Sequence, residues 1–268
     1  MRYLKPMTDL SDITNFAEQL ADAAASAILP FFRERPQVDD KGADGWFDPV
    51  TEADKAAERA MRQLIEATFP AHGILGEEED EKPGTGEGRW VLDPIDGTRA
   101  FMSGLPTWGT LIAFDPGSGP AVGIIDQPYM KERWIAGPEG GRFDSPLGER
   151  ALQTSGCTSL DDAILMATHP EIFVTSDERA GFDAVASRVK LLRWGGDCYS
   201  YGLVGIGLAD IVIEANLKPF DIQAIIPIVN AAGGVITDWQ GGPADNGGQV
   251  VAAATPALHA EALKLLNV

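Results

Sequence analysis

Only two cysteines, Cys157 and Cys198, occur in 268 residues, far apart and with no CxxC pair. That scarcity excludes a disulfide framework and a thiolate zinc site, and it leaves two reduced structural thiols. The three histidines, His72, His169 and His259, fall in no HExxH pattern, and no GxSxG elbow offers a serine nucleophile. Long apolar runs are missing as well. None reaches the roughly 18 residues needed to cross a bilayer, and Met1 to Leu10 carry no basic segment followed by an apolar one, so a cytoplasmic location without a membrane partner is expected. Basic residues are the last shortage. Against 40 acidic residues stand 21 lysines and arginines, for a formal charge of −19. Such a field repels nucleic acid, which is not expected as a partner, and it would also repel a phosphate ester unless bound cations reversed its sign locally.

What is present is ordinary globular material, 44% hydrophobic with 30 glycines and 18 prolines, enough for one large domain or two packed subdomains. Apolar residues recur every three or four positions from Ser11 to Arg33, which predicts an amphipathic helix. A second helix is predicted from about Glu52 to Phe69, with Thr51 and Asp54 as a capping pair and Ala57, Met61, Leu64 and Ile65 as its apolar face. Short β-rich runs at 91–92, 110–114, 122–126 and 133–136 should form one sheet. After Ser145-Pro146-Leu147-Gly148 strands alternate with helices, the last two predicted at 220–232 and 256–266. This rhythm predicts a parallel or mixed sheet covered by helices, an α/β (α+β layered) chain with a boundary near Gly148 that separates residues 1–148 from 149–268. The glycine-rich stretches Gly84 to Gly88 and Gly241 to Gly248 lack Walker or GxGxxG spacing and read as turns.

The most informative stretch is Trp90-Val91-Leu92-Asp93-Pro94-Ile95-Asp96-Gly97-Thr98, a strand that ends in two carboxylates three residues apart. Pro94 and Gly97 bend the chain so that Asp93 and Asp96 can converge, with the Ile95 carbonyl and the Gly97 and Thr98 amides turned to the same space. Such oxygens suit Mg²⁺, and adjacent amides suit a phosphate. Taken alone, two aspartates around a turn are commonly just turn formers. Glu77 follows the apolar run Ile74-Leu75, Asp54 stands at a helix start, and Asp221 opens a late helix, where capping alone would also explain it. Glu79, Asp80 and Glu81 read as a solvated loop.

Taken in order, these segments resemble the inositol monophosphatase family of Mg²⁺-dependent, lithium-sensitive phosphatases. The matching pieces are DPVTEAD at Asp48 to Asp54, GEE at Gly76 to Glu78, LDPIDGT at Leu92 to Thr98, GGDCYSYG at Gly195 to Gly202, FDIQA at Phe220 to Ala224, and the Ala232-Gly233-Gly234-Val235 turn. The resemblance implies an αβαβα sandwich and a homodimer that hydrolyses a small phosphorylated metabolite with two to three Mg²⁺ ions. It implies one metal site at Glu77, Asp93 and the Ile95 carbonyl and a second at Asp93, Asp96 and Asp221, with Glu77 also helping to hold a third ion. Asp54 and Thr98 match the pair that orients and deprotonates the attacking water, and Gly97 and Thr98 match the amides that hold the phosphate. Two departures, Arg99-Ala100 before Phe101 and Phe220 before Asp221, replace no metal ligand and bear on the substrate.

Gly196, Asp197, Cys198 and Glu214 match positions that line the pocket for the alcohol part of the substrate. Asp197 adds a carboxylate near Glu214, which favours an ammonium over a neutral polyol, although Asp197 could instead cap the following helix. RWGGDCYSYG followed by LKPFD resembles the histidinol-phosphate phosphatases of this family more than its inositol-specific members. Histidinol phosphate is therefore the expected substrate, ahead of inositol 1-phosphate or other small sugar phosphates. A regulator that binds RNA or transcription machinery is the reading of another class, and the intact carboxylate set argues against it.

Overall fold

Residues 9–34, 38–40, 49–86 and 88–267 are described by a computed structural model of the chain. Asp48, the first residue of the DPVTEAD stretch, and most of the Met1 to Leu10 segment lie outside them. The elements run α1 (Leu10–Ile28), β1 (Val38–Asp40), β2 (Pro49–Thr51), α2 (Glu52–Thr68), β3 (Gly73–Gly76), β4 (Arg89–Asp96), α3 (Thr98–Ser103), β5 (Gly109–Asp115), β6 (Val122–Gln127), β7 (Glu132–Gly137), β8 (Gly140–Ser145) and β9 (Gly148–Ala151). They continue with β10 (Ile164–Ala167), α4 (Ser176–Ala186), β11 (Leu191–Trp194), α5 (Asp197–Gly205), β12 (Ile211–Leu217), α6 (Pro219–Ile222), α7 (Ile225–Ala231), β13 (Val235–Asp238), β14 (Gly248–Ala253) and α8 (Pro256–Leu266).

Strands β3 to β9 lie in sequence order in one seven-stranded sheet, parallel only between β3 and β4. The second sheet is mixed, in the order β11-β10-β12-β14-β13. Apolar residues of α1 and α2, among them Ile13, Leu20, Met61 and Ile65, bury one face of the first sheet around Trp90, Ile112 and Ile124. Its other face, with Val91, Leu111 and Trp134, packs on Tyr201 and Val204 of α5 and Ile225 and Ile228 of α7. The same middle layer meets Val212, Val250 and Ala252 of the second sheet, whose outer face is closed by Phe182 of α4 and Leu258 of α8. Helix, sheet, helix, sheet, helix: this is the expected αβαβα sandwich.

Several local expectations change. Helix α1 stops at Ile28: Leu29 keeps helical backbone, but Pro30 has no amide to give the Ser26 carbonyl, and the chain tightens into a 3₁₀ turn before Phe32 turns extended. On α2 the capping box of Thr51 and Asp54 is present, but Leu64 is 37% exposed while Glu58 and Arg62 are buried in its place. The helix expected over 220–232 is two helices, α6 and α7. Pro227 has no amide to give the Gln223 carbonyl, and the Ala224 carbonyl sits so close to Gly123 that a Cβ there would lie 2.0 Å from it. Gly148 is not where the sheets part: it opens β9, the edge strand of the first sheet, so the change of sheet comes after Ala151. Among the described residues no helix is long and apolar enough to cross a membrane.

Candidate active site

The end of β4 carries the first carboxylates. Its pairing with β5 shifts register between Asp93 and Asp96, so the two side chains are not held to the alternation of a regular strand. The Thr110 hydroxyl donates to the Pro94 carbonyl at 2.8 Å and anchors the irregular stretch from the neighbouring strand. Gly97 then takes a left-handed φ of 84° and starts α3, a short helix absent from the sequence reading. Its Cα faces Asp197: a Cβ at Gly97 would stand 3.0 Å from the Asp197 side chain, so a larger residue has neither the backbone nor the space. The Thr98 hydroxyl donates to the Ile95 carbonyl at 3.1 Å.

Asp221 comes from the other half of the chain. Its Oδ2 accepts the Lys218 amide at 2.6 Å at the start of α6, so it caps that turn and also reaches the cluster. One carboxylate oxygen from each of Asp93, Asp96 and Asp221 lies within 4.8 Å of the others. Three acids so close, in a protein interior, repel strongly. Burial first, then the charges of Glu77, Asp96 and Asp221, hold Asp93 well above the usual carboxylate range. Asp221 is held well above it by burial and Asp96, with Glu77 and Glu214 adding to the push. Burial raises Asp96 too, opposed by the thiol and amide of Cys198, the amide at 2.6 Å from Oδ2.

Glu77 stands just past β3, and the loop that holds it is tied from α2. Buried Glu58 accepts the amides of Glu78 at 2.8 Å and Glu79 at 3.1 Å, and pairs with Arg62, which donates to the Glu79 carbonyl. Gly76 is glycine because a Cβ would sit 2.0 Å from the Glu58 carboxylate. Sequence reading missed Glu58. Its only signal was the i,i+4 spacing to Arg62, which usually marks an exposed pair. Asp54, buried in the first turn of α2, accepts the amide of Thr51 at 2.8 Å and its hydroxyl on the same oxygen.

A cleft of about 270 Å³ opens beside the cluster, lined by Asp96 and Asp221 and also by Thr168, Asp197, Glu214 and the 171–174 segment. Glu214 is buried and accepts from the Thr168 amide at 2.9 Å, the Thr168 hydroxyl, and the Tyr201 hydroxyl at 3.0 Å. Burial pushes its carboxyl up to about 7. Asp197 begins α5 at a φ of 43° without making a capping hydrogen bond, so capping does not explain it. It is raised well above the carboxylate range by burial, Asp96 and Glu214, and the charge of Arg99 opposes the shift. Gly196 and Cys198 depart from expectation. Both are buried, Gly196 against Ser200 and Met166, and Cys198 beneath Asp96 and Gly109, and neither residue lines the cleft. His72 packs on Phe69 and takes the Trp90 indole N–H, His169 caps a turn, and His259 meets Thr237, so all three serve structure.

The donor set fits a hard divalent cation. All its atoms are oxygens, and Asp93 Oδ1 is buried with no hydrogen-bond partner. The family model for the inositol monophosphatase family matches residues 9–267. The chain belongs to that family. It is a phosphoric monoester hydrolase, and enzymes of the inositol monophosphatase family are metal-dependent. The chloroplastic bifunctional phosphatase IMPL2 of Arabidopsis thaliana is 42% identical over 87% of this chain, which spans 66% of that protein. A histidinol-phosphatase of Chlorobaculum parvum is 36% identical, with 84% of this chain and 85% of the relative covered. An inositol monophosphatase from Zymomonas mobilis has a solved structure that superposes with a TM-score of 0.85 at 38% identity, over 98% of this chain and all of that one. Relatives at similar identity thus bear different substrate names.

Proposed function

We propose that this family member hydrolyses L-histidinol phosphate to histidinol and phosphate, in histidine biosynthesis. The observation that carries the reading is the position of Asp197 and Glu214 together on the cleft that also holds Asp96 and Asp221. Two acids beside the alcohol part of an ester favour an ammonium, since a neutral polyol gains little from them. In this reading Mg²⁺, two or three ions, is held by Glu77, Asp93, the Ile95 carbonyl, Asp96 and Asp221. Those ions would neutralise charge on the phosphoryl group and on the attacking and leaving oxygens. The amides of Gly97 and Thr98 hold phosphate oxygens, Asp54 and Thr98 orient the attacking water, and the Asp54 carboxylate is the base of the pair, the group on which the water's proton ends. Because Thr98 Oγ1 donates its own hydrogen to Ile95, its lone pairs remain available to accept one.

Steady-state kinetics on purified, Mg²⁺-loaded enzyme test the substrate. Histidinol phosphate should exceed inositol 1-phosphate in kcat/KM by about tenfold, about 1.4 kcal/mol, which a partly desolvated charge-assisted hydrogen bond can supply. Asp197→Asn should erode that ratio mainly through KM. The name of the Zymomonas relative supports inositol 1-phosphate as the second reading, and a wild-type preference for that ester would establish it. Equal losses on both esters in Asp197→Asn would assign Asp197 to the fold or the metal site.

A further inference from the structure

The far wall of the cleft is built with more care than a connecting loop needs. After β10 the chain turns over the mouth of the cleft, and Glu171, Ile172 and Val174 line it. His169 Nδ1 accepts the Glu171 amide at 3.2 Å and starts a 3₁₀ turn. At the other end Thr175 and Glu178 form a reciprocal capping box that fixes the start of α4, and Gln249 donates to Glu178. Between these anchors Phe173 is buried on Phe182, which turns its neighbours Ile172 and Val174 outward. Val174 is left 74% exposed. A branched apolar side chain held in water on a segment anchored at both ends contributes nothing to the core.

One more contact joins this wall to the opposite side. Asn216 Nδ2 donates to the Ile172 carbonyl at 2.6 Å. Asn216 sits where β12 loses register between Glu214 and Leu217, with a left-handed φ of 63°. Asparagine tolerates that conformation better than most residues, yet the irregularity is costly in a strand and here it delivers one side chain to the wall. The tether therefore fixes the distance between Glu214 on β12 and the 171–174 segment.

We propose that Glu171, Ile172 and Val174 form a subsite for a flat, weakly basic ring on the alcohol part of the ester, and that Asn216 is the positioning residue that sets its width. This rests on the amino-alcohol reading of the same cleft. Ile172 and Val174 offer an apolar surface to a ring face, and Glu171 offers an acceptor to a ring N–H, while Asp197 and Glu214 meet the ammonium. An alcohol with an ammonium and no ring would leave the wall unused.

Three esters separate the two layers of the argument: histidinol phosphate, alaninol phosphate, which keeps the ammonium and lacks the ring, and inositol 1-phosphate. Wild-type enzyme with Mg²⁺ should prefer histidinol phosphate to alaninol phosphate by about tenfold or more in kcat/KM, the scale of one ring filling a partly apolar site. Val174→Ser and Glu171→Gln, both at exposed positions, should each lower that ratio by about threefold or more through KM. Asn216→Gly keeps the left-handed backbone accessible and removes the tether, and it should act on the same ratio through KM. Equal rates on the two amine esters in the wild type, or a fall in kcat alike on both in all three variants, would overturn the subsite. A wild-type preference for inositol 1-phosphate over alaninol phosphate would instead overturn the amino-alcohol reading beneath it.

Discussion

Stripped of metal, the protein should become more stable as the pH is lowered from 8 to 5, and Glu214→Gln should remove a defined part of that gain. The buried Glu214 carboxyl is pushed up to about 7 from 4.5. A carboxyl whose folded pKa lies above its unfolded one binds more protons folded than unfolded between the two values. Its stabilising share is therefore complete below about 4.5 and lost as the pH rises through about 7. At about 1.36 kcal/mol per pH unit the whole difference is about 3 kcal/mol, most of it falling between pH 5 and pH 8. Asp93, Asp96, Asp197 and Asp221 are raised and act in the same direction, while His259, lowered by burial, loses stability as the pH falls and opposes them. Glutamine keeps one acceptor oxygen where Thr168 and Tyr201 use two, a loss that does not vary with pH, and it leaves His259 as it was, so the difference in slope between the two proteins reads Glu214 and its repulsion of Asp197 and Asp221. Urea unfolding in EDTA at pH 5, 6, 7 and 8, followed by tryptophan fluorescence, gives the slopes. The variant should lose about 2 kcal/mol less than wild type between pH 5 and 8, or roughly 4 °C or more in Tm. Identical slopes would show that Glu214 titrates as an ordinary carboxyl, and a wild-type stability that climbs with pH would refute the picture of a strained acid cluster.

Hydrolysis of a generic phosphate ester should stop in EDTA, return with Mg²⁺ and be suppressed by Li⁺ or excess Ca²⁺, whose larger radius and looser coordination position water poorly; full turnover in chelator would remove the metal from the reaction. Asp93→Asn should lose most of kcat while Glu79→Gln, in the exposed acidic loop, behaves as wild type, and wild-type turnover of Asp93→Asn at saturating Mg²⁺ would displace Asp93 from the centre of the site. Glu58→Ala removes the buried partner of Arg62, leaving it only Glu79, and strands the Glu78 and Glu79 amides, so it should destabilise by about 3 kcal/mol, with Glu58→Gln milder. A loss under about 1 kcal/mol by calorimetry would mean the pair is solvated.

The parts of the site that rest on local chemistry were legible. Thr51 and Asp54 form their capping box, LDPIDGT ends a strand with converging acids, and Asp221 is both a cap and a cluster member, so the two alternatives open for it coexist. What stayed hidden depends on partners distant in sequence. Nothing in the α2 pattern says that Glu58 turns inward and Leu64 outward, because the reason is the loop at 78–79 that needs an acceptor. Of the two features at the break between α6 and α7, Pro227 was legible, while the approach of Ala224 to Gly123, about a hundred residues earlier in the chain, was not. Ser145-Pro146-Leu147-Gly148 has the composition of a linker and is in fact the turn of a hairpin, since turns inside a sheet and turns between sheets use the same residues.

The hydrogen bonds around the acids also rank their need for a cation. Asp96 has the Cys198 amide, Asp221 has the Lys218 amide, Asp54 has Thr51, and Glu214 has Thr168 and Tyr201, each donor supplied by a different part of the fold. Those donors take up one oxygen of each aspartate and both of Glu214, and they leave each acid partly compensated when no metal is bound. Asp93 is the exception: it is 1% exposed, its Oδ1 has no partner, and its neighbours Glu77, Asp96 and Asp221 are all acids. Without a cation Asp93 faces only acids, so burial and their charges push its carboxyl well above the ordinary range. Loss of metal should therefore be felt first at the β4 irregularity, where the side chain that hydrogen-bonds Asp93 is Glu77, itself an acid.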